Sequence, residues 1–438
     1  MPKEFSAARL PLKEKYSFST ALMGQTMIYN FVNLYLLIFY TDVLGISAVA
    51  AGSIFLGARI WDAVNDPIMG VIVDHTKTKW GKCRPYLLFF PLPIAFLTVL
   101  LFNAPQWSEA AKVAYAAVTY ILWGMFYTSV DIPLWTMSSR MTTDLHERES
   151  LIASGRIFNI IGSALPVILV VPLKMALGKG DESRGYLLTV VLFCAVALPL
   201  LLQSFFITNE RAPSSDEFKP DLKENLKAIW GNKPLLLLLS SSILNVLVVL
   251  PVNAGIFFVT YNLGDEALFA VMAGTVLVAA GLGSGLAPVL ARRFRPRDIL
   301  IWSSVLTAVL FTIGYFVGYG NFPVVIGFTF VIGTLLGVPL VLRTSMLAET
   351  IEHYEGISGK RSEGIIFSSM TFSGKLKMGI AAFLVGWILK IAGYVPEAVQ
   401  SPEALKGIFI MLTIVPALGS LLTIIPLWFY RLENGSES

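Results

Sequence analysis

Apolar residues run along this chain in long unbroken stretches; they neither alternate with polar ones nor form narrow stripes. A helix of about 20 apolar residues crosses the ~30 Å hydrocarbon core of a bilayer. Stretches of that kind recur at 17–41, 47–73, 86–104, 110–138, 150–172, 185–208, 234–261, 267–290, 299–319, 323–348, 363–392 and 404–430. The pattern predicts an all-α integral membrane protein with twelve transmembrane helices. The longest polar stretch, Asn209 to Lys233, divides the spans six and six. The expected organisation is a six-helix bundle over 1–208, a central loop over 209–233 and a second six-helix bundle over 234–438. Within the loop, Pro213-Ser214-Ser215 reads as linker. Residues 221–230, apolar at Leu222, Leu226, Ile229 and Trp230, predict an amphipathic helix at the membrane surface.

Composition agrees. The 438 residues are 55% hydrophobic and only 14% charged, and mean hydropathy is +0.70, which excludes a soluble globule. Of 33 Lys and Arg, 22 fall in the termini and even-to-odd loops, 6 on the opposite side or in the outermost three residues of a span there, and 5 deeper inside spans. That bias predicts both termini on the cytoplasmic side of a cell membrane. It also explains the net charge of +4 without any nucleic acid partner. The first 16 residues are polar, with Lys3, Arg9, Lys13 and Lys15, so no cleavable signal is expected. Cys83 and Cys194 lie on different elements, and no disulfide is expected between them. The histidines, His75, His146 and His353, all fall in expected loops, which rules out a histidine proton relay inside the membrane.

A faint internal echo suggests duplication. Tyr40-Thr41-Asp42-Val43-Leu44-Gly45 closes the first span, and Tyr261-Asn262-Leu263-Gly264 closes the seventh. Span 2 ends in the Gly70–Arg84 stretch, and span 8 ends before Arg292, Arg293, Arg295 and Arg297. Two halves of six spans with basic 2–3 and 8–9 loops suit the major facilitator fold, whose substrates bind at mid-membrane between the halves.

Charges inside the spans carry the chemistry. Each is expensive in hydrocarbon. Asp62 and Asp66 lie four residues apart on one helical face, where like charges repel unless something positive sits between them. Asn65 adds a carbonyl oxygen, and Arg59, three residues before Asp62, is a rival internal partner for it. On span 4, Tyr127, Thr128, Asp131 and Trp135 share a face by their spacing, an aromatic plane beside a carboxylate that suits a sugar ring. Pro133 lies within that segment and can kink it. Lys375 and Lys377 project about 200° apart, so only one faces any given cavity, and Lys375 is favoured.

The strings Tyr40-Thr41-Asp42, Arg59 to Asp66, Trp80-Gly81-Lys82-Cys83-Arg84-Pro85, Tyr127 to Pro133, Ala348-Glu349-Thr350 and Gly393-Tyr394 resemble the glycoside–pentoside–hexuronide cation symporters. The match covers nearly the whole chain. The resemblance implies uptake of a sugar or sugar derivative driven by sodium, proton or lithium, with no enzymatic activity. It places the cation at Asp62, Asp66 and Thr128, as sodium ligands if sodium is the coupling ion. It assigns Arg156 to substrate binding and Lys375 to a charged network between halves. An Asp131–Arg156 pair that opens on substrate entry would fit that scheme.

Three departures bear on the substrate. Melibiose-type members carry Lys-Asp on helix 1, with the acid on the galactosyl unit; this chain has Gln25-Thr26. Leu340 stands where they have a tryptophan, and Arg343 where they have a neutral residue. The spans thus hold five cations (Arg59, Arg156, Arg343, Lys375, Lys377) against three acids (Asp62, Asp66, Asp131). The balance tilts toward an anionic glycoside or sugar acid, met by Thr26, Tyr127, Asp131, Trp135, Arg156, Arg343 and Lys375. Arg343 near the cytoplasmic end also suits a gate. The alternatives are a neutral oligosaccharide, or a lysolipid-type cargo on the same fold. No cofactor is expected beyond the coupling cation, sodium or proton. The expected partners are the small-molecule substrate and the bilayer, and the expected working form is a monomer.

The loop charges Asp74, Lys77, Lys79, Lys82 and Arg84, then Arg140 to Glu149, then Glu349 to Glu363, could latch the two halves together on the cytoplasmic side. Such exposed pairs are individually worth little.

Overall fold

The structure, a computed structural model, describes residues 10–211, 229–358, 363–396 and 398–431. All but the last two residues of the helix expected at 221–230 lie outside these, as do Lys360 and Arg361.

The described chain is helical, apart from one isolated bridge between Thr78 and Gly81. It divides into two compact units, Met1–Glu217 and Phe218–Ser438.

In the first unit, α1 (Leu12–Ile38) runs into a π-turn (Phe39–Val43), followed by α2 (Ala48–His75), α3 (Arg84–Phe89), α4 (Pro91–Leu101), α5 (Glu109–Arg140), α6 (Leu145–Gly178) and α7 (Glu182–Ile207). The starts are written in the sequence. Ser47, Asp144 and Asp181 cap α2, α6 and α7 by accepting a backbone N–H from three residues on, and prolines open α3 and α4. The second unit holds α8 (Lys233–Leu244), a 3₁₀ turn (Asn245–Val249), α9 (Leu250–Phe257), a π-turn (Phe258–Asn262), α10 (Leu268–Ala291), α11 (Pro296–Val317), α12 (Phe322–Ser358), α13 (Glu363–Ile391), α14 (Pro402–Leu412) and α15 (Ile414–Phe429).

Ten of the described helices are long and apolar enough to cross a membrane. The other two expected spans coincide with α2 and with α3–α4. Helix α2 carries Arg59, Asp62, Asp66 and Asp74, which depress its hydropathy. The α3–α4 segment is interrupted at Phe90, ahead of Pro91. Several helices outrun their apolar stretches: α12 continues to Ser358, so Glu349, Glu352 and His353 sit on a helix and not in a loop. Hydropathy marks where the bilayer ends; a helix with a polar face does not have to stop there. Helix α5 runs unbroken through Pro133.

The internal echo reappears as geometry. Leu44 N–H donates to the Phe39 carbonyl, as Leu263 N–H does to Phe258, and the turns end at Gly45 (φ 73°) and Gly264 (φ 72°). Each closes a helix with a π-turn and a left-handed glycine that a side chain would strain.

Within the first unit α1 is enclosed, packing on α6 and α7, while α2 packs on α5. The α1–α6 approach depends on Gly162, where a Cβ would collide with the Met23 backbone. In the second unit α10 and α12 meet through Gly283, Gly333 and Gly337 in the same way. Small residues that let backbones approach are how membrane helices gain contact where no hydrophobic force drives them together. Large apolar side chains such as Phe96, Ile157, Phe206, Trp302 and Phe316 point outward, as a lipid-facing surface requires.

Candidate functional site

The buried polar residues of the first unit gather on α1, α2, α5 and α6. Arg59 and Asp62, both buried, form an ion pair at 2.9 Å. The guanidinium also donates to Asn33 Oδ1 (3.0 Å) and the Tyr120 hydroxyl (3.1 Å), and lies 5.9 Å from the centre of the Tyr29 ring. Gly124 makes room for the acid: a Cβ there would stand 3.2 Å from Asp62 Oδ1. The internal partner weighed from the spacing is therefore the one the structure shows for Asp62.

Asp66 sits one turn on and half-buried, and Thr128 donates its hydroxyl to Asp66 Oδ1 at 2.9 Å. Asn65 is close in sequence to both acids, and its buried Nδ2 has no hydrogen-bond partner. Carboxylate, hydroxyl and amide oxygens are the hard ligands an alkali cation takes, and a carboxylate can equally carry a proton.

The face of α5 expected to hold sugar is built as a column. Tyr120, Trp123 and Tyr127 stack along the helix, with centroids 5.9 and 5.1 Å apart, and Tyr29 of α1 lies 5.0 Å from Tyr127. The Trp123 indole is fixed by donating to Thr98 Oγ1 at 2.9 Å. Below the column, Gln25 Nε2 donates to the Tyr127 hydroxyl and, at 2.5 Å, to Asp131 Oδ1. Arg156 of α6, itself exposed, lays its guanidinium over Trp135, 4.8 Å from the ring centre. Thr26 accepts a hydrogen bond from Asn159 Nδ2 at 2.5 Å.

Thr26, Asp62, Asn65, Asp66, Tyr127, Thr128, Asp131, Trp135 and Arg156 thus share one unit, whereas Arg343 and Lys375 belong to the other. Gln25 and Asn159 were not among the expected site residues. Asn159 follows Arg156 by three positions, one helical turn, which was the available signal. Gln25 was visible only as a departure beside Thr26.

The loop charges also find partners inside this unit. Glu210, after α7, accepts the backbone N–H groups of Lys82 (3.0 Å), Cys83 (2.8 Å) and Arg84 (3.1 Å). Gly81 (φ 108°) lets the carboxylate in, since a Cβ there would overlap it. Arg84 caps the Phe205 carbonyl at 2.8 Å, Lys15 pairs with Glu147 at 2.7 Å, and Arg211 grips Glu14 through two hydrogen bonds of 2.7 and 2.5 Å. Burial, and after it the Glu210 charge, pushes the Cys83 thiol up to about 12.

The MFS/sugar transport protein family matches over residues 17–434. The chain belongs to that family. It is 32% identical over 434 residues to the isoprimeverose transporter of Lactiplantibacillus pentosus, spanning 97% of this chain and 90% of that one. It is 33% identical over 418 residues to the inner membrane symporter YicJ of Escherichia coli strain K12, spanning 95% and 91%. Among solved structures, a D-xylose–proton symporter superposes with a TM-score of 0.69 at 14% identity, over 97% of this chain and 99% of that one. That likeness establishes the major facilitator fold. The resemblance to the glycoside–pentoside–hexuronide cation symporters holds, and the protein is a membrane transporter of sugars or their derivatives, not an enzyme.

Proposed function

We propose that the protein is a symporter of the inner membrane, both termini cytoplasmic, which couples entry of sodium or a proton to accumulation of a sugar or glycoside. The observation that carries this is the layout of α5. Thr128, which reaches Asp66, directly follows Tyr127, and Asp131 and Trp135 lie one and two turns on. One rigid helix therefore belongs to both the ion site and the sugar platform. A cation between Asp66, Thr128 and the Asn65 oxygen would fix the rotation of α5 and with it the aromatic face offered to the sugar. Coupling energies between two such sites typically run at about 1–3 kcal/mol.

Because Arg59 neutralises Asp62, the pair of acids carries about one net negative charge, which suits a monovalent ion. The tight polar lining of Gln25, Tyr127, Asp131 and Asn159 favours a polyhydroxyl cargo over a lipid tail. A monomer suffices for the mechanism, since every group named belongs to one chain.

Proteoliposome uptake tests the reading. Radiolabelled isoprimeverose or xylose should accumulate under an inward sodium or proton gradient and merely equilibrate without one. Asp66→Asn should lose accumulation while keeping counterflow exchange. Accumulation without any cation gradient, or undiminished accumulation in Asp66→Asn, would refute it.

A further inference from the structure

Within the second unit, a run of arginines meets an apolar face at one corner. Between α10 and α11 the chain reads Arg292-Arg293-Phe294-Arg295-Pro296-Arg297. Arg297 serves the protein itself. Its Nε donates to the Leu427 carbonyl at 2.9 Å and its Nη2 to the Trp428 carbonyl at 2.6 Å, tying the start of α11 to the end of α15. The same guanidinium lies 5.9 Å from the centre of the Trp428 ring. Arg292, Arg293 and Arg295 are exposed, and among the described residues none of them pairs with a carboxylate.

The first unit builds a similar corner and supplies its own anion. Arg84 opens α3 beside Pro85 and donates to the Phe205 carbonyl near the end of α7, with its guanidinium 5.1 Å from the Phe205 ring centre. There the Glu210 carboxylate, which follows α7, closes on the loop through three backbone N–H groups. In the second unit, three guanidinium groups within four residues have no such acid among the described residues. Like charges that close repel, and an anion from outside the chain relieves the repulsion.

Beside the cluster lies a surface suited to acyl chains. Trp302, Leu306, Val309, Ile313 and Phe316 recur at steps of three and four along α11, all of them exposed. Leu418, Leu421, Ile425 and Trp428 do the same on α15, which packs on α11. The α11 row runs about 21 Å, longer than the ~15 Å depth of one leaflet. Tryptophans settle at the headgroup level of a membrane. Trp428 is the ring Arg297 rests against, so the arginines stand at the depth of lipid phosphates.

We propose that Arg292, Arg293 and Arg295 bind the headgroup of an anionic phospholipid whose acyl chains lie along the exposed faces of α11 and α15. Three cations suit more than one negative charge, so the preferred lipid carries two phosphodiesters, as cardiolipin does. Basic clusters at the ends of membrane helices take such headgroups, and guanidinium–phosphate pairs form two parallel hydrogen bonds. The bound lipid braces from outside the corner that Arg297 holds from within.

Titration of the delipidated full-length protein in detergent tests it, with bound lipid read by native mass spectrometry and stability by tryptophan-fluorescence melts. The probes are cardiolipin, phosphatidylethanolamine with the same acyl chains, and inorganic phosphate. Cardiolipin should bind about tenfold or more tightly than phosphatidylethanolamine and raise Tm by about 3–5 °C, and phosphate should do neither. Replacing all three residues together, Arg292→Gln, Arg293→Gln and Arg295→Gln, should weaken cardiolipin binding roughly a hundredfold. The corresponding triple change to Lys should keep most of it. Arg295→Gln alone should cost about fivefold, and it carries the test if the triple variant does not purify. Lys77→Gln with Lys79→Gln, which removes charge from the basic loop of the first unit, should leave the affinity unchanged. No cardiolipin preference in the wild type, the outcome if an acid of the chain itself fills the corner, overturns the proposal. Full binding by the triple glutamine variant does so too. An equal loss in the Lys77 and Lys79 variant would make the preference a property of basic surface at large and sink it. Equal stabilisation by inorganic phosphate would leave an anion site with no lipid, and defeat it as well.

Discussion

Replacing Arg59 with methionine is the most informative single perturbation of the first unit. The side chain is 5% exposed and Asp62 4%, so the substitution removes the cation and leaves its acid buried. Breaking one partner of such a pair costs about 3–5 kcal/mol, whereas exchanging both for neutral groups of similar volume is close to neutral. For a unit of this size that is a drop of roughly 6–20 °C in Tm. Arg59→Met and Asp62→Asn should each show it in tryptophan-fluorescence melts of the purified protein in choline chloride. The double variant should regain more than half the loss, because neither charge is then left alone. Sodium should raise the Tm of Arg59→Met more than that of the wild type, since the freed Asp62 carboxylate joins Asp66 as a ligand. Single variants melting within about 2 °C of the wild type, or a double variant whose loss equals the sum of the singles, would show that the pair does not hold the bundle.

Three other outcomes follow from the geometry. Gln25→Ala should weaken sugar binding by about tenfold, the worth of one hydrogen bond to a charged group, without changing cation affinity as read by sodium-dependent fluorescence. Gly162→Ala should destabilise by about 1–3 kcal/mol through the clash with Met23, while Gly57→Ala, with nothing within 4 Å of the added methyl, should be neutral or mildly stabilising in the same melts. The Cys83 thiol stays neutral in the folded protein up to about 12 but ionises near pH 8.5 when unfolded. Its contribution to stability is therefore intact below about pH 8.5 and falls as pH rises, by up to about 2 kcal/mol at pH 10. Cys83→Ser should flatten that part of the pH–Tm curve.

Much of the fold was legible because hydrocarbon is a simple solvent: the all-helical character, the ten apolar helices of membrane-crossing length among the described residues and the repeated span-closing turns all follow from where polar residues are tolerated. What hydropathy misplaced were helix ends, as at Ser358, and the two segments whose function or sequence departs from plain apolarity, α2 and α3–α4. For the site, periodicity put Tyr127, Thr128, Asp131 and Trp135 on one face, but it cannot say which neighbouring helix that face meets. Hence Asn159, which touches Thr26 across helices, escaped notice, and Gln25, which touches Tyr127 and Asp131, stood only as a departure beside Thr26. Spacing did raise Arg59 against Asp62, because i,i+3 neighbours are decided within one helix. Loop charges suggested latches between halves; of these, Arg84 bonds the Phe205 carbonyl and Glu147 pairs with Lys15, both inside the first unit.

The grip of Arg211 on Glu14 joins residues 197 positions apart, and the Arg211 backbone N–H also donates to the Arg140 carbonyl at 2.8 Å. The point where the chain enters the helices of the first unit is thereby also the point where it leaves them. Topologically the unit is a ring, and its order of synthesis is a convention of where that ring is cut. A circular permutant that links residue 10 to residue 211 by a short glycine linker and opens at the 103–107 turn should insert, pack α1 against α6 and α7, and melt within a few degrees of the unit in its native order.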